Sequence, residues 1–141
     1  MKVGDLKDLK YLPCVFASED GMKSVIDGFY SMFDREVFDC IVSCGGYSDV
    51  IAGAIAEKMN HGVVKVQMDN RFCVKSLKSG WKVVIFADVL ENGEMELDLI
   101  QKLEAEGCKV LKLGFIAEDT GAGARKSKIL KKYPFESIID L

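Results

Sequence analysis

The sequence predicts an α/β fold: a parallel sheet of about five strands flanked by helices on both faces. Two observations carry that expectation. Apolar runs with little polar alternation recur at residues 38–43 (FDCIVS), 63–68 (VVKVQM), 80–86 (GWKVVIF) and 109–117 (KVLKLGFIA), and such runs mark strands covered on both faces. Between several of them, apolar residues fall at helical spacing, and strands alternating with helices form parallel sheets through right-handed crossovers. Of the 141 residues, 49% are hydrophobic and only two are proline. The chain therefore reads as one domain over residues 1–141, with enough apolar surface to order nearly all of it.

The elements follow in order. Residues 11–16 (YLPCVF) read as a short strand interrupted by Pro13. From Ser18, a capping serine and two acids precede Met22, Val25, Ile26, Phe29, Met32 and Phe33, the stripe of an amphipathic helix. The run at 38–43 meets a turn at Gly45 and Gly46. Ser48 and Asp49 then stand where a helix takes its N-cap, ahead of Ile51, Ala52, Ile55, Ala56 and Met59. The polar stretch 69–79 (DNRFCVKSLKS) is expected to be a loop. After Phe86 the chain is expected to turn into a helix with Leu97, Ile100 and Leu103 inward and Gly107 as its stop. A glycine-rich turn from Thr120 to Gly123, a basic helix over 124–132 and a closing strand at 137–141 complete the series.

A formal net charge of −3 lacks the positive field with which proteins capture nucleic acid or anionic membranes, so neither is expected as a partner. The basic run of Arg125, Lys126 and Lys128 with Lys131 and Lys132 has no interleaved aromatic residues and reads as a solvated helix face. Five cysteines (Cys14, Cys40, Cys44, Cys73, Cys108) include no CxxC pair, and the one histidine is His61. This argues against a disulfide framework or a zinc site, and for buried thiols in a reducing cytosol. Cys40 and Cys44 fall on one face if the strand continues, and His61 follows Asn60 at a helix end, where capping explains it. With no basic-then-apolar leader and no membrane-length apolar run, a cytoplasmic protein is expected.

In such sheets the ligand sits beyond the carboxyl ends of the strands, which singles out the loops at 44–49, 67–71, 88–95 and 119–123. The segment GGYSDVIAGAIA lacks the glycine spacing of a dinucleotide site. Other residues of these loops resemble a known family. VVIFADVLENGEM at 83–95 resembles the signature of the type I phosphoribosyltransferases, in which an apolar strand ends in two acids and continues through a Thr/Gly/Ser-rich loop into a helix. IVSCGGYSDVIAGAIAEKM at 41–59 resembles their pyrophosphate loop and the helix after it. GAGARKSKILKKYPFESIIDL at 121–141 is similar to the carboxyl end of the orotate phosphoribosyltransferases.

The resemblance implies a phosphoribosyltransferase-type sheet, a homodimer, a phosphoribosyl or nucleotide-like small molecule as ligand, and magnesium if the protein is active. It assigns the 5′-phosphate to the loop that here holds Glu91, Asn92 and Gly93, because the family's helix-start amides and hydroxyls hold it there. It assigns ribose or magnesium to Asp88, and pyrophosphate to Gly45, Gly46 and Ser48. The motif is altered, however. Ala87 replaces the first acid, while Glu91, Asn92, Glu94 and Met95 replace threonines, a glycine and a further hydroxyl. Gln67 and Met68 occupy the places of the orotate enzymes' Arg-Lys pair, leaving Arg71 as the nearest base to take leaving-group charge. A carboxylate about 4 Å from a phosphate repels it by about 1 kcal/mol per charge pair in water, and by several times more at lower dielectric.

Three readings follow. Catalysis is lost or altered, and the protein is a binding or regulatory module. Alternatively it is a divergent transferase, moving the pentosyl group of 5-phosphoribosyl 1-diphosphate to a nucleobase with Asp88 and Arg71 as catalytic residues. In the third reading Asp49, Asp88, Glu91 and Glu94 form an acidic mouth for a cation or an amine. Asp119 and Thr120, after the fourth strand, read as a strand-to-helix turn.

Overall fold

In the computed structural model, which describes residues 12–119, 121, 123 and 129–140, the apolar runs become five strands: β1 (Cys40–Ser43), β2 (Gly62–Lys65), β3 (Lys82–Leu90), β4 (Lys109–Glu118) and β5 (Phe135–Asp140). Every neighbouring pair is parallel, in the order β2-β1-β3-β4-β5. The helices are α1 (Leu12–Ala17), α2 (Glu19–Phe33), α3 (Tyr47–Met59), α4 (Glu94–Ala105) and α5 (Ile129–Lys132). Thr120, the basic run before Ile129, Tyr11 and Leu141 lie outside the described residues.

Side chains alternate across the strands and divide the core between two helical layers. Ile41, Val84 and Phe86 pack with Val15 of α1, Val25, Phe29 and Phe33 of α2, and Ile51 and Ile55 of α3. Their neighbours Cys40, Val42, Val83, Ile85 and Ala87 pack with Leu99, Ile100 and Leu103 of α4. Helices on both faces are thus a direct product of continuous apolar strands. The ring centroids of Phe29 and Phe33 each lie 4.9 Å from that of Phe86. Gly114 on β4 admits this cluster, since a Cβ there would stand 2.7 Å from the Phe33 ring.

Several elements differ from the sequence reading. Residues 12–17 form a helix, not a broken strand. Pro13 stands in its first turn, where a missing N–H is harmless, and Val15 is fully buried. The Ser18 hydroxyl then caps α2 as expected, accepting from the Gly21 amide at 3.0 Å. The second strand is shorter than 63–68: Val66 still donates to the Ser43 carbonyl at 2.8 Å, but a 3-10 turn begins at Met68. The third strand is longer, running through Leu90. In α4 the deepest residues are Leu99, Ile100 and Leu103, with Leu97 only half-buried, and Gly107 follows the helix with φ +85°. Asn60 takes the left-handed C-cap of α3 and the His61 amide donates to the Ala56 carbonyl. Cys40 is buried and Cys44 packs against the same cluster, whereas Cys14 and Cys73 are exposed, contrary to the expectation of buried thiols. Among the described residues no helix is long and apolar enough to cross a membrane.

Because β2 and β3 flank β1 on opposite sides, the chain reverses its course across the sheet between β1 and β3. That switch point leaves a crevice beyond the strand ends. The packing also sets a contrast between glycines. Gly114→Ala should destabilise the protein by about 1–3 kcal/mol through overpacking, read as a lower urea midpoint. Gly53→Ala, on an exposed α3 position with nothing near its added Cβ, should stabilise it by up to about 1 kcal/mol.

Candidate functional site

Three segments meet at the switch point: 44–46 after β1, 66–70 after β2, and the first turns of α4 after β3. They enclose a cavity of about 380 Å³, whose lining includes Cys44, Gly46, Asp49, Lys65, Asp69 and Glu96.

Asp88 does not line this cavity but braces the loop that forms one of its walls, at Gly45 and Gly46. The strand carries it beyond the expected turn because Ala87 and Val89 continue the ladder with Phe115 and Ala117 of β4. Its Oδ1 accepts from the Ser48 amide at 2.7 Å and its Oδ2 from the Tyr47 amide at 3.1 Å. These amides open α3 and have no acceptor within the helix. A carboxylate from the neighbouring strand satisfies both, and its charge complements the positive end of the helix dipole. Gly46, rather than Ser48 or Asp49, is the N-cap, with φ +63°. A Cβ at this position would collide with Asp88 Oδ2.

Asp49 closes the loop from the other side. Its Oδ1 accepts from the Gly45 amide at 3.1 Å and from the Ser43 hydroxyl at 2.5 Å, and Lys65 Nζ lies 3.5 Å from its Oδ2. The Ser48 hydroxyl turns back to the Gly45 carbonyl at 2.5 Å. The amides of Cys44 and Asp49 donate to the carbonyls of Phe86 and Gly46. Among residues 44–49, five amides therefore already have acceptors within the chain: those of Cys44, Gly45, Tyr47, Ser48 and Asp49.

The surroundings are electronegative. Burial, then Glu96, Asp88 and Asp49, push the Cys44 thiol up to about 12. Burial also holds the Asp88 carboxyl above its usual range, with Asp49 adding to the effect and the two α3 amides opposing it. Glu96 is raised likewise, first by burial and then by Glu91.

The fold thus brings Gly45, Gly46, Ser48 and Asp88 together. Glu91 and Asn92 are exposed at the start of α4, where Asn92 Oδ1 accepts from the Glu94 amide at 3.0 Å. Gly93 is buried, with φ +81°. Glu94 faces a neighbouring hollow with Asp69, Met95 and Asp98. Arg71 lines another hollow, with Phe72, Lys102 and Glu106, and does not line the Cys44 cavity. Sequence reasoning did not find Ser43, Asn70 or Glu96. A hydroxyl at the end of an apolar strand beside a glycine turn was the available sign for Ser43. Glu96 looks like any acid in a first helical turn.

This geometry and topology define the class: the fold is that of the type I phosphoribosyltransferases. The structure of adenine phosphoribosyltransferase from Thermoanaerobacter pseudethanolicus matches 90% of this chain and 84% of its own, with a TM-score of 0.78 and 19% identity. That from Trypanosoma brucei, in complex with AMP, pyrophosphate and ribose-5-phosphate, matches 89% of this chain and 67% of its own at TM-score 0.77 and 15% identity. By sequence, the chain is 25% identical over 145 aligned positions to an adenine phosphoribosyltransferase of Caldicellulosiruptor bescii, covering 89% of this chain and 82% of that one. No family model matches the chain.

Two measurements check the site. At about pH 8 a thiol reagent should label Cys14 and Cys73 rapidly, Cys44 slowly because it lines the cavity with its thiol raised to about 12, and Cys40 and Cys108 only on unfolding, since both are buried and raised by burial while the Ser76 hydroxyl lowers Cys73. Asp88 gives the second. As pH rises past its ordinary 3.8, the unfolded chain loses the proton before the folded chain does, so this group's contribution falls until the folded carboxyl also ionises. The stability of Asp88→Asn relative to the parent should accordingly improve as pH rises above about 4 and level off once the folded carboxyl ionises, read by urea unfolding at each pH.

Proposed function

We propose that this is a phosphoribosyltransferase-like protein in which catalysis is lost or altered and the site serves as a binding or regulatory module. The observation that carries the reading is the occupation of the glycine loop by the chain's own carboxylates. A diphosphate entering there would have to displace Asp88 from two amides and Asp49 from a third, each a charge-assisted bond of about 1.5–3 kcal/mol, and would then meet Glu96. The start of α4 supports the same reading, since Asn92 holds the Glu94 amide and Glu91 and Glu94 add negative charge where the family uses hydroxyls. The ligand class remains a phosphoribosyl or nucleotide-like small molecule, as in the Trypanosoma brucei relative. One domain over residues 1–141, a homodimer, a cytoplasmic location and the absence of a nucleic-acid partner belong to the same proposal. They rest on the resemblance and the negative net charge.

A divergent active transferase is the second reading, favoured by the convergence of Asp88 with Gly45, Gly46 and Ser48 at the switch point. In it Asp88 and Arg71 are the catalytic residues, with Gly93 shaping the phosphate loop. Among the described residues no three His, Cys, Asp or Glu side chains are placed to hold a metal. Magnesium would then be shared between Asp88, substrate oxygens and water, a common arrangement for that ion. The acceptor base is adenine by the curated relative's name and orotate by the carboxyl-terminal resemblance. A cation- or amine-binding mouth would keep Asp49, lose Asp88 and Glu91 from its lining and Glu94 to the next hollow, and gain Asp69 and Glu96.

Calorimetric titration with 5-phosphoribosyl 1-diphosphate, with and without magnesium, separates the readings. The expected result is no binding tighter than about 1 mM by the parent, and at least about a tenfold gain in Asp88→Asn or in Glu91→Thr, Glu94→Gly. Micromolar binding by the parent, with turnover of adenine or orotate, would overturn the first reading in favour of the second.

A further inference from the structure

Asn70 is a polar side chain only 9% exposed, and it lies in a loop whose sequence gives no sign of burial. Its Nδ2 donates to the Met95 carbonyl and to Asp98 Oδ2, both at 2.9 Å and both on α4. Its backbone is left-handed, with φ +56°, and Asp69 before it is left-handed too, at φ +62° and ψ +26°. Two successive non-glycine residues in that region are disfavoured for L-amino acids and persist only where surrounding contacts hold them. Here those contacts are specific. Lys102 Nζ donates to the Asp69 carbonyl at 3.0 Å and pairs with Asp98 at 3.1 Å. The Gln67 amide closes the neck of the loop on the Arg71 carbonyl at 2.6 Å. Gln67, Asp69 and Asn70 line the same cavity as Gly45, Asp49 and Glu96.

We propose that Asn70 is the positioning residue of this cavity: its amide clamps segment 67–71 onto the first turns of α4 and so fixes the wall formed by Gln67 and Asp69. The role does not depend on which ligand the cavity takes or on whether the protein is catalytic. It combines two demands. The side chain must donate to two acceptors on α4, and the backbone must accept the left-handed region, which asparagine tolerates better than most residues. Glycine meets only the second demand. Aspartate also tolerates the backbone but, when ionised, has no hydrogen to donate and faces Asp98.

Amide hydrogen exchange of the full chain, followed by NMR with the Gln67 amide as reporter, tests this. Asn70→Gly and Asn70→Asp should each raise exchange at 67–71 by at least about tenfold while amides of β3 and β4 stay protected. Adding Asp98→Asn to Asn70→Asp restores a donor between the two positions and should slow Gln67 exchange back toward the parent. General destabilisation would not produce that rescue. The proposal is overturned if Asn70→Gly protects Gln67 as well as the parent does, if β3 and β4 lose protection equally, or if the double variant exchanges no more slowly than Asn70→Asp. The readout is independent of ligand binding, so it stands apart from the calorimetric test.

Discussion

Both oxygens of Asp88 are bound to the first amides of α3, and this contact joins β3 to the helix across the switch point of the sheet. Much of the site depends on it. It requires glycine at 46, because the carboxylate occupies the space a Cβ would take. It sets the start of α3 at Tyr47, leaving Ser48 to bond back to Gly45 and Asp49 to reach Gly45 and Ser43. It also brings negative charge beside Cys44, adding to the burial that suppresses thiolate formation. The burial of Asp88 opposes its ionisation, and the helix amides offset that penalty in part.

The sheet makes such a contact available. Strands β1 and β3 are neighbours whose residues pair from Cys40 with Val83 to Ser43 with Phe86, so the loop after β1 and the last residues of β3 leave the sheet side by side. The aromatic cluster under α2 and the aliphatic residues under α4 hold both faces in place. The loops above them can then carry polar and backbone arrangements that are unfavourable in isolation, such as the left-handed pair at Asp69 and Asn70.

In this chain the loop after β1 is satisfied internally by Asp88 and Asp49, and the start of α4 carries Glu91 and Glu94. The architecture is that of the type I phosphoribosyltransferases, and a fold of this kind does not by itself carry an activity.

The sequence by itself determined the layered parallel sheet, because continuous apolar runs such as Val83 to Phe86 can be satisfied only between two layers of helices, and it determined α2, where capping at Ser18 and a stripe through Phe33 are local signals. It misread the start of the chain as a strand over residues 11–16, since a short apolar run with one proline fits a strand as well as the helix that Leu12–Ala17 forms. It also misread the end of β3, where a single acid looked like a turn. Only the tertiary structure decided how the site is wired. Asp88 meets Ser48 across 40 residues, and Asn70 meets Met95 and Asp98 across 25 and 28. Such partners are chosen by strand order and by the crossing of loops over the sheet. Nothing in the local periodicity of either segment records the other.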